Sequence, residues 1–325
     1  MCNLAYISLA LIAISIYSCD KVDNPLISKG TGTIPVVKPT HVDSTMSTSA
    51  DDNMRKILIE DYTGHMCINC PTAAAQCDLL VQTDAHKSEA VLVEINASGL
   101  ADSNNNVPGS PPGAFGVNYL TTAGTDWFNQ FINVAVPGTM VDRLYYTTAG
   151  SGSGDLYLNG INVNIPFDSL DTTPQSASIH IVDSLYTPPT KAVSMTVTTK
   201  ILSPQAGTKY FLVVMLVEDS ICDYQDSLNS VVNAHYIHRM VMRTVINGNS
   251  GAGDSLISNT TAAQAKHYAF TSSRFAYNPA PVNPYAPAVP LTSWNMGHMY
   301  VVAFVYQTTS GSHNQMVLQA QRLHL

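Results

Sequence analysis

The chain has 325 residues, of which 45% are hydrophobic and only 12% are charged, and its formal net charge is −8. This length is enough for about two domains with substantial cores, and the composition is that of a folded chain. The negative balance and the lack of a lysine/arginine cluster argue against nucleic acid as a partner, because phosphate binding requires a basic surface.

Residues 1–18 predict an export signal. Residues 4–17 are almost unbroken apolar sequence, too short to span a bilayer comfortably. The four residues 16–19 resemble a bacterial lipoprotein signal box, in which the cysteine becomes the acylated first residue. The segment departs from that pattern in its bulky Tyr17 and in its first three residues, which carry no Lys or Arg. We predict lipid attachment at Cys19 and anchoring to a membrane; a buried apolar segment is the alternative.

Residues 19–53 predict a flexible tether. Prolines lie there among Ser, Thr, Gly and Asp, and little apolar periodicity is present. We expect this segment to hold the folded part away from the membrane surface. The alternative is an extended arm that packs on the folded part.

A CxxC pair, Cys67 and Cys70, lies between the apolar run 57–59 and the helix-like run 72–81. This order of strand, CxxC and helix predicts a thioredoxin-like fold. At a helix start, unpaired N–H groups and the helix dipole favour the thiolate of the first cysteine. We therefore predict Cys67 as the nucleophile and Cys70 as the resolving cysteine of a thiol–disulfide site.

The first folded unit, residues 54–155, has the order of elements expected for an α/β thioredoxin-like domain. A strand over 56–62, a helix over 71–83 and a mostly apolar strand over 90–96 form a βαβ unit. Pro137 then leads into a short strand, at the position where thioredoxin-like proteins place a cis-proline that faces the CxxC pair. The alternative is an ordinary trans proline at a strand start.

Asp61 is a candidate proton carrier, because it stands six residues before Cys67, at the offset of the buried carboxylate of thioredoxins. Such a carboxylate can exchange a proton with the second cysteine. Because strand residues alternate, Glu60 and Asp61 face opposite sides and only one can serve; two solvated carboxylates are the alternative. His65 and Met66 occupy positions that are usually aromatic in thioredoxins, and His65 is a candidate to stabilise the Cys67 thiolate.

The remaining cysteines and an aromatic group have structural interpretations. Cys77 lies on an apolar stripe at helical spacing, two turns beyond Cys70 and too far from it for a disulfide. Cys222 has no local partner, so a bridge from Cys77 to Cys222 stays open. The insertion over 97–134 carries three aromatic side chains that we interpret as core rather than as a binding platform: Trp127, Phe128 and Phe131.

Metal and cofactor chemistry has little support in the sequence. Pro71 stands where a c-type haem requires histidine. Zinc would lack a second CxxC to complete a ribbon-type site. His235 and His238 are three residues apart in a β-rich region, so they face opposite sides of a strand. We predict no cofactor and no metal.

The composition becomes β-rich over residues 170–325. The alternation of apolar and polar residues over 193–199 is typical of a half-buried antiparallel strand. We predict an all-β, immunoglobulin-like sandwich, with the proline-rich segment 277–290 as a long loop. Its strands are expected over 177–183, 192–202, 209–218, 235–246, 298–307 and 315–324.

Five segments together resemble the outer-membrane-protein-28-related lipoproteins of Bacteroidetes. They are EDYTGHMCINCP at 60–71, LTTAG at 120–124, VPG at 136–138, DR at 142–143 and HRMVMR at 238–243. The resemblance implies an outer-membrane lipoprotein, facing the periplasm or the cell surface, with a thioredoxin-like domain followed by a β-rich domain. Where the family pattern has Asn before Arg, this chain has Asp142.

Two functions remain open from the sequence. In the first, a membrane-tethered oxidoreductase exchanges disulfides with exported proteins: Cys67 attacks, Cys70 resolves, Pro137 positions the substrate chain, and Asp61 or Glu60 relays the proton. In the second, the chain is a surface binding or adhesion lipoprotein, its partner a surface ligand, and the CxxC disulfide is structural.

Overall fold

The computed structural model describes residues 54–82, 89–103, 107, 109–144, 167–168, 170, 173–228, 231–276, 292–308 and 315–325. The predicted signal peptide, the tether, Cys19 and the proline-rich loop lie outside these residues. Within the described part, no helix is both long and apolar enough to cross a membrane.

The N-terminal unit has the predicted βαβ arrangement. Strand β1 (Ile57–Thr63), helix α1 (Cys70–Gln82) and strand β2 (Ala90–Asn96) follow each other, and β2 lies parallel to β1. Both strands are buried along their whole length, which explains why their sequences are nearly continuous apolar runs. The predicted bounds of all three elements are confirmed to within one residue.

A short helical segment connects β2 to the next strand. Helix α2 (Thr122–Trp127) begins at the Thr121 hydroxyl, which accepts a hydrogen bond from the Gly124 N–H at 3.0 Å. A π-helical turn over Phe128–Ile132 continues it. Strand β3 (Gly138–Val141) then pairs antiparallel with the outer side of β1.

The remainder of the described chain is mostly β. Its strands are β4 (Ala177–Thr187), β5 (Ala192–Ile201), β6 (Lys209–Glu218), β7 (Ile221–Gln225), β8 (Asn233–His238), β9 (Val241–Val245), β10 (Asp254–Leu256), β11 (Gln264–Thr271), β12 (Phe275–Ala276), β13 (Trp294–Asn295), β14 (Met299–Thr308) and β15 (Val317–His324).

One sheet runs through both predicted units, in the order β15-β14-β6-β9-β2-β1-β3, and β10 pairs with β6 beside this path. The junction is the parallel pair of Glu94 in β2 and Val241 in β9. The sheet also curves back, because the N–H of Ala320 in β15 donates to the Lys56 carbonyl at the start of β1, at 3.2 Å. The sheet therefore crosses the boundary that the sequence predicts between residues 54–155 and 170–325.

Strand β6 separates two hydrophobic cores. Val213, Met215 and Val217 face a core shared with β1, β2, α1 and α2. The alternate residues of the strand face a second core, which is closed by the three-stranded sheet β11-β5-β4; they are Leu212, Val214 and Leu216. Both faces of β6 are thus buried, and its sequence is correspondingly an unbroken apolar run.

The predicted immunoglobulin-like arrangement is not confirmed. The three-stranded sheet does pack face to face on β6 and β14, as the layers of a sandwich would. However, β6, β9 and β14 are hydrogen-bonded into the same sheet as β1 and β2, rather than forming a separate module.

Several predicted strands need correction. The strand expected over 235–246 is two strands, β8 and β9, because the chain turns between them at Met240, whose φ is 53°. The sequence pattern does not predict strands β7, β10, β11, β12 and β13. Strand β7 has the sequence ICDYQ, in which polar residues occupy buried positions, so it lacks the usual apolar signal.

Candidate functional site

The CxxC pair forms a disulfide at the start of α1, as its spacing predicts. Cys67 and Cys70 are bonded, with their Cα atoms 5.4 Å apart. The turn between them is held by the Cys70 N–H, which donates to the Cys67 carbonyl at 3.3 Å. Ile68 and Asn69 are exposed, but only 3% of Cys67 and 1% of Cys70 is accessible to solvent. The disulfide therefore lies beneath the surface of its own turn.

Pro137 lies at the edge of the sheet where β1 leads into the CxxC turn. Tyr62 pairs with Gly138 in the β1–β3 register, which places Pro137 level with Thr63. The Val136–Pro137 peptide bond is cis, as predicted, and Pro137 is buried. Its role in positioning a substrate remains a prediction.

Asp61 and Glu60 face opposite sides of β1, as strand alternation predicts. Asp61 is buried and, with Ala74 and Asp78 of α1, lines a cavity of about 10 Å³, enough for about one water molecule. Glu60 is also buried and forms an ion pair with Arg143, whose Nη2 lies 2.7 Å from its Oε1. The alternative of two solvated carboxylates is wrong, and only Asp61 faces α1.

The C-terminal half supplies the other side of this cavity. Tyr236 of β8 and Arg239, which follows β8, line it together with Asp61, Asp78 and Glu94 of β2. Burial raises the pKa of Asp78 to about 6; the Arg239 charge opposes this shift, and Glu94 and Asp219 add to it. The cavity beside Asp61 is therefore acidic and large enough for about one water molecule, and residues far away in the sequence complete its wall.

Gln225 connects the end of β7 to the CxxC turn. Its side-chain Nε2 donates to the Cys67 carbonyl at 3.0 Å, and it lies 3.3 Å from the Gly64 carbonyl and 2.9 Å from that of Asp226. The main-chain N–H of the following residue, Asp226, donates to the His65 carbonyl at 2.8 Å. These contacts fix the ribbon formed by β7 and β8 onto the CxxC turn.

A buried polar network holds the other side of this ribbon. The Tyr119 hydroxyl donates to Asp223 Oδ2 at 2.6 Å. His238 Nδ1 lies 3.4 Å from Glu94 Oε1. Burial alone lowers the pKa of His238, but the Glu94 carboxylate outweighs it and the net shift is upward. Hydrogen bonds and charge thus bind the ribbon to β2 and to the insertion that carries Tyr119.

His65 does not supply the charge that the sequence suggests. It is fully buried, its Nε2–H donates to the Asp102 carbonyl at 3.0 Å, and its ring packs edge-on against Phe115 and Tyr119. Burial is the largest influence and lowers the pKa of His65. The imidazole is therefore neutral at neutral pH, and stabilisation of a Cys67 thiolate by its positive charge is not supported.

The aromatic residues of the insertion are core, as interpreted from the sequence. Trp127 and Phe131 are buried, and Phe128 packs against the same cluster. The Arg143 guanidinium lies 4.6 Å from the Trp127 ring centre and 4.7 Å from that of Phe131. These rings surround a buried cation and do not form an exposed binding platform.

The other two cysteines in the part of the chain that the structure describes are thiols. Cys77 is fully buried, and its Sγ lies 3.9 Å from the Thr139 hydroxyl. Cys222 is half-buried in β7, and no bridge joins it to Cys77. Among the described residues, no group of three or more His, Cys, Asp or Glu side chains is arranged to hold a metal ion.

Sequence reasoning missed several residues of the site, among them Gln225, Tyr236 and Arg239. Arg239 belongs to the HRMVMR segment, which contributes to the family resemblance, but the sequence assigned it no role. Gln225 and Tyr236 stand more than 150 positions from Cys67, and a single buried glutamine or tyrosine carries no local signal.

Fold and site together define a thioredoxin-like protein with a covered CxxC disulfide, built into one sheet with a β-rich C-terminal region. Residues 189–325 match the family model described as Outer membrane protein Omp28. This match covers about two fifths of the chain, and it supports the Omp28-related family and a location at the outer membrane.

Two solved structures from Porphyromonas gingivalis are similar to the chain. The first, HBP35, has a TM-score of 0.56 and 13% identity, and the match covers 84% of this chain and 76% of that one. The second, a domain of the outer membrane lipoprotein Omp28, has a TM-score of 0.28 and 18% identity, and the match covers 46% and 88%. The first supports the fold alone, and the second carries no structural argument. No curated protein sequence matches the chain.

Proposed function

We propose that the protein is an outer-membrane lipoprotein whose thioredoxin-like site exchanges disulfides with exported proteins. One observation carries the proposal: the Cys67–Cys70 disulfide begins α1, Pro137 lies level with Thr63 at the end of β1, and the buried Asp61 shares a small cavity with Ala74 of the same helix. These are the groups that thiol–disulfide exchange requires: a nucleophile, a resolving thiol, a surface for the substrate chain and a proton carrier.

In the reduced protein, the Cys67 thiolate attacks a disulfide of an exported protein. One substrate sulfur leaves as a thiolate and a mixed disulfide forms with Cys67. Asp61 takes the proton of the Cys70 thiol, and the resulting thiolate attacks the sulfur of Cys67. The second substrate sulfur leaves, so the substrate gains two electrons and the Cys67–Cys70 disulfide is restored. The reverse sequence oxidises a substrate dithiol.

A second function is favoured by the burial of the disulfide. With 3% of Cys67 and 1% of Cys70 exposed, the pair has the accessibility of a structural crosslink. In that case the chain is a surface binding lipoprotein, and the disulfide stabilises the turn before α1.

Redox titration and turnover on a protein disulfide distinguish these functions. Exchange predicts a reduction potential well above about −300 mV and measurable reduction of insulin disulfides. Cys67→Ser should abolish that turnover while the circular dichroism spectrum stays native, and Cys222→Ser should retain it. A potential below about −300 mV together with no turnover would establish the structural role.

The membrane anchor is proposed from the signal sequence. Mass spectrometry of the mature N-terminus should show diacylglycerol on Cys19, and Cys19→Ala should release the protein from the membrane fraction. An unmodified Cys19 in the mature chain would rule out lipid anchoring.

A further inference from the structure

Exchange at the Cys67–Cys70 disulfide requires access that the folded protein does not provide. An incoming thiolate must approach a sulfur along the axis of the S–S bond. Both cysteines are almost completely buried. The exposed residues of the turn, Ile68 and Asn69, present no sulfur atom. Some neighbouring element must move before an external thiol reaches the bond.

The β7–β8 ribbon lies against the disulfide turn and beside the first turns of α1. At the end of β7, Gln225 donates its side-chain amide to the Cys67 carbonyl at 3.0 Å. In β8, Tyr236 lines the same small cavity as Ala74, which is one helical turn beyond Cys70. The ribbon therefore spans the region from the CxxC turn to the first turns of α1.

The contacts at Gln225 are few and specific. Only 2% of Gln225 is exposed, and the recipients of its amide include main-chain carbonyls of the turn. The adjacent Asp226 N–H adds one bond to the His65 carbonyl. A small number of hydrogen bonds thus holds this end of the ribbon on the disulfide turn, so local opening need not involve the two cores.

We propose that the β7–β8 ribbon is a cover that controls access to the Cys67–Cys70 disulfide, and that the Gln225 side chain is the positioning residue that holds it closed. As a control on disulfide exchange, this role rests on the proposed function. The cover itself is a property of the fold and can be measured with a small thiol.

The rate of reduction by dithiothreitol tests the cover. One dithiothreitol thiolate attacks a sulfur of the Cys67–Cys70 bond, its second thiol resolves the mixed disulfide, and the products are two cysteine thiols and cyclic oxidised dithiothreitol. Gln225→Leu roughly keeps the volume of the side chain and removes its donor. We expect reduction about tenfold faster than in the wild type, because a buried hydrogen bond is worth about that factor in an opening equilibrium.

Gln319→Leu is the matched control. Gln319 is 3% exposed, lies in β15, accepts from the Lys56 N–H at 2.6 Å and donates to the Met54 carbonyl at 3.0 Å. Loss of the Gln319 hydrogen bonds should lower the free energy of unfolding without changing the rate of disulfide reduction by more than about twofold. If Gln225→Leu fails to fold, Gln225→Asn serves instead, since its shorter side chain cannot reach the same carbonyls.

Three results decide the proposal. Faster reduction in the Gln225 variant alone supports the cover. Equal reduction rates in the wild type and the Gln225 variant overturn it. Equal acceleration in the Gln225 and Gln319 variants also overturns it, because the disulfide would then be reduced through general destabilisation of the fold. Because dithiothreitol needs no protein substrate, a wild type with a reduction potential below about −300 mV and no insulin turnover would refute the exchange function and leave the cover intact.

Discussion

At the scale of single residues, Asp78 of helix α1 has a side chain whose pKa is shifted by its surroundings. Burial, Glu94 and Asp219 raise its pKa to about 6, against the attraction of Arg239. In the unfolded chain an aspartate titrates near pH ~3.9. Between these values the folded protein binds a proton that the unfolded chain has lost, so the free energy of unfolding falls as the pH rises.

We predict that Asp78→Asn flattens this dependence between about pH 4 and 6 and raises the free energy of unfolding at pH 7 by on the order of 1 kcal/mol. Arg239 keeps a partner, because its Nε lies 2.9 Å from Asp219 Oδ1. Urea titrations from about pH 4 to 8 measure the effect. Asp142 contributes in the same window, since burial raises its pKa to about 6, so part of the slope should remain.

Asp126→Asn is the control for charge alone, because Asp126 is exposed and loses the same formal charge. Its free energy of unfolding at pH 7 should lie within about 0.5 kcal/mol of the wild-type value. Equal slopes in the wild type and Asp78→Asn would contradict the role of Asp78.

Glu60 and Arg143 form a second residue-scale unit, a buried ion pair inside an aromatic shell. The guanidinium contacts both Glu60 oxygens and lies over the rings of Trp127 and Phe304. Removing one partner leaves a buried charge, which typically costs about 3–5 kcal/mol, whereas replacing both partners by apolar side chains costs much less. We predict that Glu60→Met and Arg143→Met each destabilise by that amount.

A double-mutant cycle measured by urea unfolding checks this prediction. The variant with both substitutions should be more stable than either single variant. Additive losses would show that the two charges do not depend on each other.

At the scale of elements, local signals make the CxxC region predictable. Strand β1, helix α1 and strand β2 each have a continuous or periodic apolar pattern, and the CxxC spacing fixes the helix start. The ribbon of β7 and β8 is not predictable in the same way. Its buried positions include Asp223 and Gln225, which are stabilised by hydrogen bonds to distant segments, so their burial leaves no apolar signal in the sequence.

Gly64 is where strand β1 meets the CxxC turn, and the chain packs there without space for a side chain. A Cβ atom at Gly64 would lie 2.7 Å from the Leu100 carbonyl carbon and oxygen, which are main-chain atoms. We predict that Gly64→Ala destabilises by about 1–3 kcal/mol, since one of the two loops must shift. Thermal and urea unfolding measure the loss.

Gly99→Ala is the matched control for this prediction. Gly99 belongs to the facing loop, and a Cβ atom there would meet nothing within 4 Å. Its variant should unfold within about 0.5 kcal/mol of the wild type. A Gly64 variant of equal stability would show that the facing loop yields at no cost.

At the scale of the whole molecule, the continuous sheet joins the N-terminal thioredoxin-like unit to the C-terminal strands. Sequence patterns indicate both kinds of structure but not the junction, because that junction is one residue pair, Glu94 with Val241, between strands far apart in the chain. The return of β15 to the start of β1 is equally non-local. Such pairings depend on tertiary packing, and no local periodicity encodes them.

The shared sheet predicts that both cores unfold together. The chain has two tryptophans: Trp127 lies in the core around β1 and Trp294 in the core under the three-stranded sheet. In a Trp127→Phe background, the fluorescence of Trp294 reports the second core alone. Adding Gly64→Ala directly disturbs only the first core. We nevertheless expect the urea midpoint measured from Trp294 fluorescence to fall as far as the midpoint measured by circular dichroism. The reason is that β6 contributes side chains to both cores and so links their stability. A Trp294 midpoint that stays unchanged while the circular dichroism transition moves would show that the two cores unfold independently.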